Sequence, residues 1–203
     1  MRGSWLSKRI VVFISGGGTN LQALIDAVEQ DELDAEIVLV VSNKKKAYGL
    51  IRAEKAGIPT VYAPLGAVKR MGFTREEYDG QVAEKVAEYQ PDLIVLAGWM
   101  HIFSDAFLSH FPKKVINLHP ALPGQFDGVN AISRAFEAFQ KGEIEHTGVM
   151  VHEVTTVLDG GPVILTEIVP IMPTDGLGHL IERVHAVEHE LLIRAVKKIV
   201  NGE

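Results

Sequence analysis

Short β-branched runs alternate with segments of helical periodicity along most of the chain. Arg9–Ser15 (RIVVFIS), Ile37–Ser42, Thr60–Ala63, Leu93–Ala97 and Val115–Leu118 read as strands, several of them apolar at nearly every position. Such continuous apolar character suits strands covered on both faces. Between them, Leu21–Glu29, Ala47–Ala56, Thr74–Tyr89, Ser104–His110 and Ile132–Lys141 read as helices. The third opens on a capping box, Thr74-Arg-Glu-Glu77, followed by the apolar stripe Tyr78, Val82, Val86, Tyr89. This cadence predicts an α/β fold: a doubly wound, mainly parallel sheet with helices on both faces. After Gly142 the rhythm changes. Thr147–Val154 and Val163–Pro170 flank the turn-rich Leu158-Asp-Gly-Gly-Pro162, predicting a late antiparallel strand region, and a long helix runs from Leu177 to Val200. No repeat or linker interrupts residues 1–203, so one domain is expected, with residues 1–8 standing outside it.

Composition narrows the picture. Apolar residues make up 47% and charged ones 23% of 203 residues, the profile of a folded globular chain. A net charge of −6 argues against a general nucleic-acid binder. Without cysteine there is no thiol nucleophile and no thiolate metal site. The longest apolar runs are too short to span a bilayer, and the N-terminus lacks the apolar core of a secretory signal. A cytoplasmic protein with no membrane or nucleic-acid partner is the expectation.

In a doubly wound sheet, ligands collect beyond the carboxyl ends of the strands. The first strand runs into Ser15-Gly-Gly-Gly-Thr-Asn20 and then a helix, an arrangement suited to an anion or to a plain structural turn. It is not a dinucleotide fingerprint, because Leu21 stands where a third glycine belongs and the second strand ends in Ser42-Asn43 rather than an acid. In Val115-Ile-Asn-Leu-His-Pro120, Asn117 and His119 project from the same face of an extended chain. An amide beside an imidazole can hold an oxyanion and move a proton; strand-end groups bonded to nearby backbone would look the same. Asp159 fits a turn aspartate or a carboxylate aimed into the cleft, depending on its reaching His119. Were it to do so, its charge would raise the imidazole pKa. Glu188 falls on the apolar stripe of the last helix, which calls for a paired partner or a ligand. No histidine set has metal-ligand spacing, so no metal is expected.

Taken together, Ile14-Ser-Gly-Gly-Gly-Thr-Asn-Leu-Gln-Ala-Leu-Ile-Asp26, Val41-Ser-Asn-Lys44, Leu96-Ala-Gly-Trp-Met100, Ile116-Asn-Leu-His-Pro120, Leu158-Asp-Gly-Gly-Pro-Val-Ile164 and Arg183-Val-His-Ala-Val-Glu-His189 resemble the phosphoribosylglycinamide formyltransferases, a folate-dependent family. The resemblance covers Lys8 to Ile199 in order. It implies formyl transfer from 10-formyltetrahydrofolate, as co-substrate, to the amine of phosphoribosylglycinamide in purine biosynthesis, by a monomer or homodimer without metal. It implies a catalytic set of Asn117, His119 and Asp159; the chemistry of formyl transfer would have Asn117 and protonated His119 hold the oxyanion, with Asp159 stabilising the imidazolium. Gly18, Thr19, Asn20 and Glu188 would bind the ribonucleotide, the loop at its phosphate and Glu188 at its amine. Arg75, Met100, His101, Ile102, Phe103, Asn117, Thr155 and Asp159 would meet the folate. His101 stands where the family commonly has arginine, and His185 where a glutamine often touches the ribose. A formyltetrahydrofolate hydrolase or another folate-dependent formyltransferase is the alternative; a non-catalytic nucleotide-binding module would give no reason for Asn117, His119, Asp159 and Glu188 together.

Overall fold

The computed structural model describes residues 7–66 and 72–202. Its centre is a seven-stranded sheet in the order β3-β2-β1-β4-β5-β6-β7. The strands are β1 (Lys8–Ile14), β2 (Ala35–Ser42), β3 (Thr60–Tyr62), β4 (Leu93–Leu96), β5 (Val115–His119), β6 (His146–Glu153) and β7 (Val163–Pro170). The first five are parallel, while β6 pairs antiparallel with both β5 and β7. Helices α1 (Thr19–Glu29), α2 (Tyr48–Lys55), α3 (Arg75–Ala87), α4 (Asp105–Leu108), α5 (Ala131–Gln140) and α6 (Leu177–Asn201) complete the described elements.

Alternation along each strand divides the apolar side chains between two layers. Ile10, Val12 and Ile14 of β1 join Ile116 and Leu118 of β5 beneath α1 and α6, represented by Leu24, Leu180 and Leu191. Val11 and Phe13 face the other way, with Val115, against Tyr78 and Val82 of α3 and Phe107 of α4. Both faces are dry, which is why the strands read as unbroken apolar runs.

Three expectations shift. Lys8 lies in β1, paired with Ala35, rather than in an extension; residues 1–6 of that extension fall outside the described residues. Helix α1 starts at Thr19, two residues early, because Gly18 takes a left-handed conformation (φ 69°) that turns the chain directly into the helix. The helix expected over Ser104–His110 is only Asp105–Leu108; Pro112 restrains the preceding backbone, and the chain leaves through single turns. The capping box of α3 forms as read, with Glu77 N–H donating to Thr74 Oγ1 at 3.2 Å and Thr74 N–H to Glu77 Oε2 at 2.7 Å. Among the described residues, no helix is long and apolar enough to cross a membrane.

Candidate active site

Strand order reverses between β1 and β4, and the loops leaving β1, β4 and β5 meet at that carboxyl edge. They surround a cavity of about 970 Å³. Asn20, Arg75, Met100, His101, Ile102, Phe103, Asn117, His119, Thr155, Asp159 and Glu188 all line it. Gly18 and Thr19 do not line it; they form the turn that carries Asn20 to its rim.

Asn117 and His119 do share one face of β5, with Ile116 and Leu118 in the opposite layer. The carboxylate reaches them from forty residues away. Asp159 sits at φ 48°, a left-handed conformation that aspartate tolerates better than most residues. The following turn depends on glycine: a Cβ at Gly161 would overlap the Glu153 carbonyl. Asp159 Oδ2 lies 3.5 Å from His119 Nδ1 and accepts the Gly128 N–H at 2.7 Å; Oδ1 lies 3.3 Å from Asn117 Nδ2. The cleft reading of Asp159 therefore has its geometric condition met.

One participant escaped sequence reasoning. His152 stands directly across from Asn117 in the antiparallel β5–β6 register. Its Nδ1 is 2.8 Å from the Glu153 carbonyl, so that nitrogen carries a proton, and its Nε2 stands 3.6 Å from Asp159 Oδ1. Asn117 Nδ2 is 3.2 Å from that Nε2 and 3.3 Å from Asp159 Oδ1, and the carboxylate, which only accepts, requires the amide to present N–H there. The orientation of Asn117 follows from these two contacts.

The charges follow from burial. Desolvation lowers the His119 pKa below its ordinary value; the charge of Asp159 pulls the other way without prevailing, and His152 adds to the lowering. The expectation of an imidazole pKa raised by Asp159 is thus corrected: the shift is downward, which favours the neutral ring at pH 7. With Nδ1 toward Asp159, its Nε2 is buried and has no partner among the described residues. Burial pushes Asp159 up, but the His152 imidazole beside Oδ1 and the Gly128 N–H on Oδ2 hold it below the usual carboxylate range. Among the described residues, one group offers metal-ligand atoms within 4.8 Å of one another: His119, Asp127 and Asp159.

Two further walls complete the cleft. Glu188 is 6% exposed on the buried stripe of α6, and burial pushes its carboxyl up to about 7 against the favourable hydrogen bond from Asn20. On the opposite layer, fully buried Asp79 of α3 pins the Met100–Ser104 loop. His101 Nε2 lies 2.7 Å from its Oδ1, and the Ser104 N–H donates to Oδ2 at 2.7 Å. Arg75 donates to the Ile102 carbonyl and stands 3.9 Å from Asp79. His101 is therefore spent on the protein rather than aimed at solvent. Asp79, like His152, carried no signal of its own in the sequence. Exposed Met100, Ile102, Val129, Val157 and Leu158 form an apolar mouth suited to a flat aromatic ligand.

The chain belongs to the formyl transferase family, whose sequence profile matches residues 8–196. It is 49% identical over 199 residues to the phosphoribosylglycinamide formyltransferase of Schizosaccharomyces pombe, covering 94% of this chain and 96% of that one. It is 48% identical to the enzyme of that name from Dictyostelium discoideum, with coverage of 93% and 96%. The crystal structure of glycinamide ribonucleotide transformylase 1 from Symbiobacterium toebii superposes with a TM-score of 0.90 at 33% identity, covering 100% of this chain and 92% of that one.

Proposed function

We propose that this enzyme transfers the formyl group of 10-formyltetrahydrofolate to the amine of phosphoribosylglycinamide in purine biosynthesis. The observation that carries the reading is the meeting of Asn117, neutral His119 and Asp159 in one cleft with Asn20 and Glu188. The relatives' names supply the acceptor, phosphoribosylglycinamide, and the formyl group that is transferred; the folate donor is the one the sequence resemblance implies.

The chemistry follows from that geometry. The amine attacks the formyl carbon, a C–N bond forms, and the carbonyl oxygen becomes an oxyanion. Asn117 donates to it, giving up a long amide contact for a charged acceptor. His119 Nε2 holds a free lone pair and takes the proton released by the attacking nitrogen. Asp159 stabilises the imidazolium, whose formation the nearby oxyanion also favours. His119 then returns the proton to the folate nitrogen as the C–N bond to the cofactor breaks. The side chains account for every proton, so this mechanism calls on no metal. Holding both substrates in one cleft removes the entropic cost of their encounter.

On the ribonucleotide side, the phosphate lies on the Gly16–Asn20 turn, with the ribonucleotide's polar head at Asn20 and Glu188. On the folate side, the ring system enters the apolar mouth between Arg75, Met100–Phe103 and Thr155–Asp159. A spectrophotometric assay with both substrates tests the reading. Formation of formylated ribonucleotide is expected. Formate release without ribonucleotide would identify a hydrolase, and binding without turnover a non-catalytic module.

A further inference from the structure

Helix α2 is not part of the cleft lining, yet it is bolted to the glycine turn. Arg52 Nε donates to the Gly17 carbonyl at 2.9 Å and its Nη1 to Gln22 Oε1 of α1 at 3.0 Å. The guanidinium also lies over the Tyr48 ring, 5.0 Å from its centroid. One residue earlier in the turn, the Gly16 carbonyl accepts the Gly49 N–H at 3.1 Å. The two chains touch so closely that a Cβ on Gly18 would stand 2.6 Å from the Gly49 Cα.

These bonds set the direction of the turn. In a planar trans peptide the carbonyl and the following N–H point opposite ways. With the Gly16 and Gly17 carbonyls drawn toward α2, the N–H groups of Gly17 and Gly18 point away from it. The first helical N–H to bond backward is Gln22, to the Gly18 carbonyl, so the N–H groups at the start of α1 also await an outside acceptor. A freely rotating glycine triplet has no such bias.

We propose that Arg52 is a positioning residue for anion binding: by holding the Gly17 carbonyl, it presets the turn with its N–H groups toward the substrate phosphate. This rests on the reading that the turn receives that phosphate. Arg52 itself stays behind the loop and contributes no direct contact.

The test compares wild type with Arg52→Ala and Arg52→Lys, using phosphoribosylglycinamide and its phosphate-free ribosyl counterpart. Arg52→Ala is expected to raise KM for the phosphorylated substrate by roughly 10–100-fold, the size of a lost charge-assisted hydrogen bond. The KM for formylfolate and kcat at saturation should stay within about twofold, as expected for lost binding shared by ground and transition states. The phosphate-free substrate should lose nothing further, and Arg52→Lys should recover part of the loss. Equal losses on both substrates, or a fall in kcat, would overturn the proposal. Titration with inorganic phosphate, followed through the backbone amide resonances of residues 17–20, separates the two layers of the argument. Silent amides in wild type would overturn the phosphate reading and this proposal with it. Equal shifts in wild type and Arg52→Ala would overturn the role of Arg52 alone.

Discussion

His152 stands against Asn117: the imidazole, its Nδ1–H spent on the Glu153 carbonyl, brings Nε2 to 3.2 Å from the amide nitrogen and supports the hold that Asp159 Oδ1 has on it at 3.3 Å. An amide free to flip would present oxygen to the oxyanion half the time. His152→Leu keeps the bulk and removes that nitrogen. Turnover should fall about tenfold, the scale of one hydrogen bond. Combined with Asn117→Ala, the second change should add little, since both act through one amide. Full additivity of the two losses in kcat would show that His152 acts elsewhere.

Asn117→Ala should lower kcat by roughly 10²–10³-fold, as for other lost oxyanion donors. The residue is only partly buried at the cleft wall, so the melting temperature should barely change. Near-normal turnover in the folded variant would remove Asn117 from the mechanism.

His119 rests neutral because burial outweighs Asp159. The rate should therefore fall as pH drops through a His119 pKa lying below 6.5. Asp159→Asn deletes the stronger of the two nearby charges that raise it, the other being Asp127, so the His119 pKa should fall further in an NMR titration. An unchanged titration curve would break the pairing. In a His119→Ala background, Asp159→Asn should cost far less than in wild type.

Glu188 makes a pH-dependent contribution of opposite kind. Its folded pKa is raised from 4.5 to about 7, so the folded state keeps a proton that the unfolded chain has released. Stability attributable to this group is lost as pH rises through that window. Glu188→Gln should remove the slope and raise stability above pH 7 by on the order of 1–3 kcal/mol, since one pKa unit is about 1.4 kcal/mol. It should also weaken ribonucleotide binding. Parallel melting-temperature curves for the two proteins from pH 4 to 8 would contradict the assignment.

The proposed reaction routes no step through a cation, although His119, Asp127 and Asp159 stand within reach of one. Dialysis against a strong chelator should leave the rate unchanged. Loss of activity restored by a divalent ion would require a different mechanism.

Much of this site was legible because strand alternation has a period of two. Asn117 and His119 had to share a face, and Glu188 had to be buried, whatever the tertiary details. Those are local consequences of β5 and α6. His152 was not legible, because it meets Asn117 only through the register of two strands thirty residues apart, and nothing in the intervening loop encodes register. The charge of His119 was misread for a related reason. Its protonation depends on how much water the surrounding loops exclude, which no local pattern records. Asp79 looked like one more polar residue near a helix start until the Met100–Ser104 loop folded onto it.

The Gly128–Asp159 bond has a consequence for turnover. The carboxylate that steadies the imidazolium also fastens the loop after β5 to the loop after β6, through a 2.7 Å hydrogen bond beside which Leu158 packs near Gly128. Were those loops to part, that contact would break and Asp159 would withdraw from its catalytic neighbours. A cleft opened in that way would lack the carboxylate beside His119, and a formylfolate held there without ribonucleotide would be expected to resist hydrolysis. Asp159 variants should accordingly change the commitment of bound folate to transfer, as well as the speed of transfer itself.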